Sequence, residues 1–461
     1  MASSRKPAVN LLDEVSQFLK KHVTDPSIPL TVAVSGGLDS VVLLSICKQL
    51  SISHPFKLNA LHINHQLQPV NDEMQKQVQS LCQALSIPLE IKTVKCDLNS
   101  GLGLEKAARE ARYDVFKALS KSYLLLAHHK NDQAETLLTQ LFRGSGLPGL
   151  SAMPEKRSLP DSAIQLLRPL IHIPRSIIYA YAKEHGINWV EDPSNQDVYY
   201  SRNYIRQVLT PVIEQKFPHW VEVAERCSHH FATAQKLLDD LALLDYQTCT
   251  EQDTDTLIAE KMIALGIERA ANLLRFWLVK HHLPVPQEKQ WTSWWDQVSK
   301  AKQDKHPRLD FAGVSLVSDH QYWYVIPQWI PWHTVTITNW GFDEIEIPGI
   351  GILSATRVLG SGIKEDTLKQ AFILSPREGG EWLQRHPKQP HKMVKKLFQE
   401  SHIPMWARDI WPILRNHEGI IAIPGIGVEL SHQAQANEWG IEVNWRFHLS
   451  HGQGGGSHVK I

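Results

Sequence analysis

One regularity limits what this chain can fold into more than any other. In its first third, apolar runs rich in β-branched residues or leucine recur at 31–35, 58–64, 89–94 and 123–128. After each comes a stretch with apolar residues at helical spacing: Val41, Leu44 and Leu50; Met74, Val78, Leu81 and Leu85; Leu104, Ala108, Ala111, Val115 and Leu119; Ala134, Leu137, Leu138 and Leu141. Strands and helices alternating at this beat build a parallel sheet with helices on both faces, because parallel neighbours need a crossover between them. The expected fold class is therefore α/β, a parallel doubly wound sheet. Such sheets take ligands beyond the carboxyl ends of their strands. The sequence places SGGLDS after the first run, HINH (His62 to His65) at the end of the second, KCD (Lys95 to Asp97) after the third and HHKND (His128 to Asp132) at the fourth.

Past Gly149 the pattern changes. RPLIHIPRSIIYAY begins a further helix at Arg168, and EDPSNQDVYYSRNYIRQVLTP carries Arg202, Asn203 and Arg206 at helical spacing. Pro218 reads as a boundary, a Trp-rich helical pattern runs from His219 to about Pro327, and short strands broken by Gly and Pro follow Pro331. A chain of 461 residues exceeds one ordinary core. The expected division is a catalytic domain at 1–218, a helical domain at 219–335 and a small β-rich α+β domain at 336–461 with a flexible tail. Five scattered cysteines with no CxxC pair argue for a reducing compartment and against zinc or iron–sulfur sites. No uncharged apolar run approaches the roughly 20 residues of a membrane helix. The amino terminus reaches Asp13 and Glu14 before any apolar stretch could serve as a signal peptide, so a cytoplasmic location without a membrane partner is expected.

A strand feeding SGGLDS into a helix presents unpaired backbone N–H groups and the positive end of the helix dipole. Gly36 and Gly37 allow close approach, and Ser35 and Ser40 offer hydroxyl donors. Neither GxxxxGK[ST] nor GxGxxG is present, which excludes a Walker-type loop and a dinucleotide fingerprint. A lone SGG turn is more often a plain connection. Asp39, at the helix start, adds a carboxylate placed to hold Mg²⁺ against a triphosphate.

SGGLDS resembles the SGGxDS loop of the N-type ATP pyrophosphatases (PP-loop superfamily), which cleave ATP between its α and β phosphates. Within them the chain is similar to the tRNA(Ile)-lysidine synthetase family. The resemblance rests on LHINHQ, GLEKAAREARYDVF, LLLAHHKNDQAETLLTQLFRGSGLPGLSAM and EDPSNQDVYYSRNYIRQVLTP, and extends to SPREGGEWL and KKLFQESHIPMWARDIWPIL near the carboxyl end. Two departures stand out. Asn131 occupies the first of two positions where the family has aspartates, and Gln66 and Gln68 replace a glycine and an arginine.

The resemblance implies ATP and Mg²⁺ as cofactors, and tRNA(Ile) with a CAU anticodon and free L-lysine as partners, with a homodimer left open. The C2 oxygen of cytidine 34 attacks the α-phosphate, and the lysine ε-amine then displaces AMP. The resulting lysidine changes codon reading from AUG to AUA and identity from methionine to isoleucine. ATP binding is expected from Ser35, Gly36, Gly37, Leu38, Asp39, Ser40, His62, Asn64, His65, His128, His129 and Arg143, with Asp39 as metal ligand. Asp39, Asp132, Glu135 and Arg112 are the expected catalytic residues. Asp132 and Glu135, three apart on one helical face, are assigned to lysine. Arg109 and Arg112 join them, Arg112 as a clamp on the lysine carboxylate. Carboxylates and arginines at such spacing are more often solvated helix pairs, and for Glu105 and Arg109, which share a face, the two readings weigh about equally.

With 48 Lys and Arg against 48 Asp and Glu, RNA must meet a local patch. Residues 375–408 hold seven Lys or Arg against three acids, including Lys392, Lys395 and Lys396, with Trp382 and Trp406 interleaved. Arg202, Asn203 and Arg206 form a second candidate. A tRNA thiolase on the same ATP-cleaving domain would need cysteines to carry sulfur, and an amidotransferase would need an amino-terminal cysteine. A catalytically inactive RNA-binding module is opposed by Asp39, Asp132 and Glu135.

Overall fold

The structure is a computed structural model. It describes residues 10–447 except 55, 66–69, 95–103, 161, 252–254, 301–304, 320 and 328–331, and of 104–106 only the backbone. The chain forms two compact units, 1–237 and 238–461.

In the first unit the elements are α1 (Leu11–His22), β1 (Leu30–Ala33), α2 (Leu38–Ser53), β2 (Leu58–Asn64), α3 (Val70–Ala84), β3 (Leu89–Thr93), α4 (Leu104–Lys117), β4 (Ser122–Leu125), α5 (Lys130–Phe142), α6 (Leu147–Leu150), β5 (Lys156–Ser158), β6 (Ile164–Leu167) and α7 (Arg175–Glu184). They build one sheet of order β3-β2-β1-β4-β6-β5, parallel throughout except for the antiparallel edge strand β5. The expected α/β class is what the chain adopts. β6, which completes the parallel sheet beyond β4, was not foreseen from the sequence; its run IQLL is short and follows polar residues.

Both faces of the sheet are covered, and the strand alternation shows it. Leu30, Val32, Tyr123, Leu125 and Leu167 pack in one core with α1, α2 and α7. Leu124, Leu126, Ile164 and Leu166 face the other way, against Phe116 and Tyr113 of α4. The central strands are lined with apolar side chains on both faces, whereas the edge strand β3 turns Glu90 and Lys92 to solvent. The chain runs from β1 outward to β2 and β3, then returns to place β4 on the other flank of β1. That reversal is a topological switch point at the carboxyl ends of β1 and β4, the place where sheets of this kind take their ligands.

The second unit is less helical than expected. Helices Ile267–Lys280 and Glu288–Val298 are present, and with them a core of Trp277, Trp291, Trp294 and Trp323. The stretch up to Pro327, however, forms antiparallel strands Arg308–Phe311, Val314–Ser318 and Tyr322–Pro327. The reason is local: Gly313 at φ 83° turns the first hairpin, and β-branched and aromatic residues flank it. Towards the carboxyl end, short antiparallel sheets enclose a separate core that includes Phe372, Phe398 and Trp411. No helix among the described residues is long and apolar enough to cross a membrane.

Leu44 of α2 is fully buried in the first core. Leu44→Ala should destabilise the first unit by about 2–5 kcal/mol, read as a lowered midpoint in urea unfolding followed by circular dichroism.

Candidate active site

The loop after β1 is shaped for close backbone approach. Gly36 has φ 99°, a conformation that favours glycine, and a Cβ there would lie 3.2 Å from Met74 Cβ. Val190 N–H donates to the Gly36 carbonyl at 3.1 Å and holds the turn from outside. Gly37 is the N-cap of α2 and lends no side-chain cap, so the helix's first N–H groups are left to whatever lies in front. The serines brace the loop: Ser35 N–H donates to Ser40 Oγ at 3.1 Å, Gly37 N–H to Ser35 Oγ at 3.3 Å, and Ser40 Oγ to the Gly37 carbonyl at 2.9 Å. Leu38 is buried beneath.

Asp39 follows on the first turn of α2. Its Oδ1 is buried and makes no hydrogen bond among the described residues; Arg175 Nε lies 3.8 Å away, and Oδ2 lies 3.7 Å from His129 Nε2. Burial pushes its pKa up, against the pull of His129 and Arg175. His129 then connects Asp39 to Asp132, because its Nδ1 is 3.4 Å from Asp132 Oδ2. The His129 side chain and Asp132 also form a reciprocal capping box at the start of α5.

Asp132 and Glu135 share a face of α5, as their spacing predicts, and both are buried. Arg202 reaches Asp132 Oδ1 at 2.6 Å and Glu135 Oε2 at 3.0 Å. Arg206 reaches Glu135 Oε1 at 2.7 Å and Oε2 at 2.8 Å, and Asp132 Oδ1 at 3.2 Å. Burial alone would raise the Asp132 pKa, but His129, Arg202, His128 and the His129 backbone N–H outweigh it and hold the carboxyl well below the usual range. Residues assigned separately by sequence to lysine and to RNA thus form one ionic cluster. The arginines come from Ser201–Tyr204 and from a π-type turn, Ile205–Leu209. Pro211, two residues on, cannot donate to the carbonyl one turn back, which fits a helix widened at this point. Asn203 instead donates to the carbonyls of Ser194 at 2.8 Å and Asp197 at 2.9 Å, bracing its own loop.

Histidines line the neighbouring strand ends. His62 Nδ1 donates to the Val34 carbonyl at 2.8 Å, which leaves Nε2 as a buried acceptor with no partner among the described residues. Burial lowers the pKa of His62; at His65 burial, then Arg112 and His62, bring it to about 4. His128, whose Nδ1 is likewise unpartnered, is pushed to about 3 by burial and by Arg168, Arg202 and Arg109 against the pull of Asp132. Asn64 donates to Gln75 Oε1 at 2.9 Å and Asp72 Oδ1 at 3.3 Å. Arg109 and Arg112 are exposed on α4, Arg109 near His128 and Arg112 near His65. Arg143 is not brought to this edge: it is the exposed C-cap of α5, the far end of a 13-residue helix, roughly 20 Å from His129. Asn131 accepts from Arg175 N–H at 3.1 Å and so joins the amino ends of α5 and α7. Gln66, Gln68 and the KCD stretch lie outside the described residues, as does the Glu105 side chain.

In the carboxyl-terminal basic segment, much of the charge serves the fold. Lys392 pairs with Glu400 at 2.6 Å, Arg377 with Glu381 and Asp409, and Arg408 Nε donates to the Ile403 carbonyl at 2.8 Å. Lys395 and Lys396 are exposed and make no ion pair with another described residue, and Trp382 is exposed nearby in sequence.

Sequence reasoning passed over two arginines of this edge. Arg175 could have been noticed at the start of its helix; Arg168, 2% exposed, carried no signal, since it followed an unrecognised strand.

A glycine turn at a topological switch point, facing buried carboxylates, defines an ATP-using α/β domain of the PP-loop class, and residues 7–213 match the PP-loop domain family. Residues 259–324 match the TilS substrate binding domain and 372–445 the TilS substrate C-terminal domain. A tRNA(Ile)-lysidine synthase of Nitrosomonas europaea is 35% identical over 429 residues, covering 91% of this chain and 92% of that protein. One from Coxiella burnetii is 36% identical over 416 residues, covering 89% and 92%. The chain belongs to the tRNA(Ile)-lysidine synthase family. It is therefore an enzyme, of the ATP-dependent ligase type. Among solved structures, a U34-tRNA thiolase from Methanococcus maripaludis aligns with 17% identity and a TM-score of 0.42 over 48% of this chain and 76% of that one, too loose a superposition to bear on activity.

The site's pH response has a definite sign. Between about pH 6.5 and about 3 the unfolded chain binds a proton at His128 that the folded chain refuses. Stability is thus full above about 6.5 and falls on acidification, by up to about 1.4 kcal/mol per pH unit for this group. His128→Asn should flatten that limb in urea titrations between pH 4 and 7; an unaltered slope would show that His128 is not its source.

Proposed function

We propose that this enzyme joins the ε-amine of free L-lysine to C2 of cytidine 34 in tRNA(Ile) bearing a CAU anticodon. The C2 oxygen attacks the α-phosphate of ATP, the bond from that phosphorus to the β-phosphate oxygen breaks, and pyrophosphate leaves. The amine nitrogen then attacks C2, the C2–O bond breaks, AMP leaves and the amine gives up its proton. The product, lysidine, turns codon reading from AUG to AUA and tRNA identity from methionine to isoleucine. The observation that carries the reading is the anion-accepting loop and Asp39 connected through His129 to the buried Asp132 and Glu135 at one edge.

Backbone N–H groups at the start of α2, with Ser35 and Ser40, hold the phosphates. Asp39 fits Mg²⁺ on one ground: a buried carboxylate oxygen with no hydrogen bond among the described residues. No group of three or more His, Cys, Asp or Glu among the described residues forms a dedicated metal cage. That suits an ion held by one or two carboxylates, phosphate oxygens and water. When bound, Mg²⁺ neutralises charge developing on the phosphate oxygens. His62, neutral with an open Nε2, suits a donor on the adenosine. Asp132 and Glu135 supply the negative pocket for the lysine ammonium, which competes there with Arg202 and Arg206. Arg112, at the β2 edge, is available to the nucleotide or RNA.

The division into 1–218, 219–335 and 336–461 is supported by the matched segments, each of which falls within one part. We assign RNA contacts to Lys395 and Lys396, with Trp382 as a stacking surface, and the cytoplasm as the place of action.

With ATP, Mg²⁺, labelled lysine and tRNA(Ile), the label should reach RNA with release of AMP and pyrophosphate; ADP instead, or unlabelled RNA, would sink the reading. Asp39→Asn should abolish pyrophosphate release. Glu135→Gln should reduce lysine transfer by about 100-fold or more while sparing pyrophosphate release, and equal loss in both would refute this division of labour. Replacing Lys395 and Lys396 together by alanine should raise KM for tRNA, not for ATP, and weaken its salt dependence.

A further inference from the structure

One cation of this edge is buried without an acid to match it. Arg168 is 2% exposed, its Nη1 donates to the Pro154 carbonyl at 2.7 Å, and its Nε is buried with no partner among the described residues. It makes no ion pair with any described carboxylate. After burial, the Tyr113 hydroxyl acts on it most strongly and is a hydrogen-bond partner that favours its charge; the other two groups, Arg157 and Arg109, are themselves cations. Arg109 is also bound to Tyr113, its Nη2 lying 3.3 Å from the hydroxyl and its guanidinium 5.0 Å from the ring centre.

Position adds the second half of the argument. Arg168 directly follows Leu167, the last residue of β6, and β6 pairs in parallel with β4. It therefore stands at the ligand-bearing edge, where its charge acts on His128. A buried guanidinium normally has a carboxylate or phosphate partner, because desolvating it alone is costly and its planar fork matches two oxygens at once.

We propose that Arg168, with Arg109 alongside, receives the α-carboxylate of the amino-acid substrate. This rests on the reading that the substrate is lysine. A lysine molecule carries two ammonium groups and one carboxylate, and the edge offers both kinds of complement: Asp132 and Glu135 for an ammonium, Arg168 for the carboxylate. Arg112, the clamp expected from sequence, is exposed beside His65 at the β2 end. A deeply buried side chain also suits a small carboxylate better than an RNA phosphate, which exposed cations reach more readily.

Cadaverine, which is lysine without its carboxylate, separates the outcomes, as substrate or as competitor. The native enzyme should favour lysine over cadaverine by about 10- to 100-fold. Arg168→Gln should erase that preference through KM for lysine while cadaverine is bound as before, and Arg168→Lys should restore part of it. Equal weakening toward lysine and cadaverine would mean a purely structural role and overturn the proposal. So would an intact preference with a raised KM for tRNA, which would point to RNA phosphate. If the native enzyme attaches neither amine to RNA, the reading of the reaction falls first, and this proposal with it.

Discussion

Two carboxylates buried on the first turns of α5 set the terms for everything at the sheet's carboxyl edge. Asp132 and Glu135 have side chains only 9% and 5% exposed, and two negative charges cannot remain so close and so dry without counter-charge. Arg202 and Arg206 provide it through a network of forked contacts. Removing one arginine from such a buried network costs about 3–5 kcal/mol, because it strands the charge opposite. The cluster therefore does two things at once. It ties the segment after Pro193 to α5, and it holds both carboxylates ionised beside the phosphate loop, where an incoming ammonium has to compete with the arginines.

The buried ionisable groups of the site gather at this edge for a reason internal to the sheet. With apolar layers on both faces, no strand can turn a charged group inward along its length. Chain order then selects the place: β1 and β4 are neighbours whose connections lead to opposite sides, so the loop after one and the helix start after the other stand at a single edge. Asp39 Oδ1, His62 Nε2, His128 Nδ1 and Arg168 Nε, all buried and without hydrogen-bond partners among the described residues, lie on segments that end there. Unsatisfied groups elsewhere in a fold are a cost; gathered at one edge they describe what a ligand must offer.

Much of this was legible beforehand. The strand and helix alternation, the glycine turn, Asp39, and the shared face of Asp132 and Glu135 all follow from periods of two and 3.6 and from chain punctuation. What was missed was missed for physical reasons. β6 is four residues long and its pattern is too short to register. The strands at 308–327 follow directly on a Trp-rich helical run, and the glycine turn that separates them was not read as a break. Arg143 looked like part of the site because it lies close in sequence, but a straight helix carries it away.

By itself the sequence determined the class of fold, the location of the phosphate loop and the family to which the chain is similar, since each depends on local spacing along one segment. Only the tertiary structure decided which charges meet. Arg202 and Arg206 are far from Asp132 and Glu135 along the chain, and Arg168 is buried only because β6 lies against β4. Desolvation and ion pairing act through space, so the roles of these arginines became readable once the sheet had brought its strand ends together.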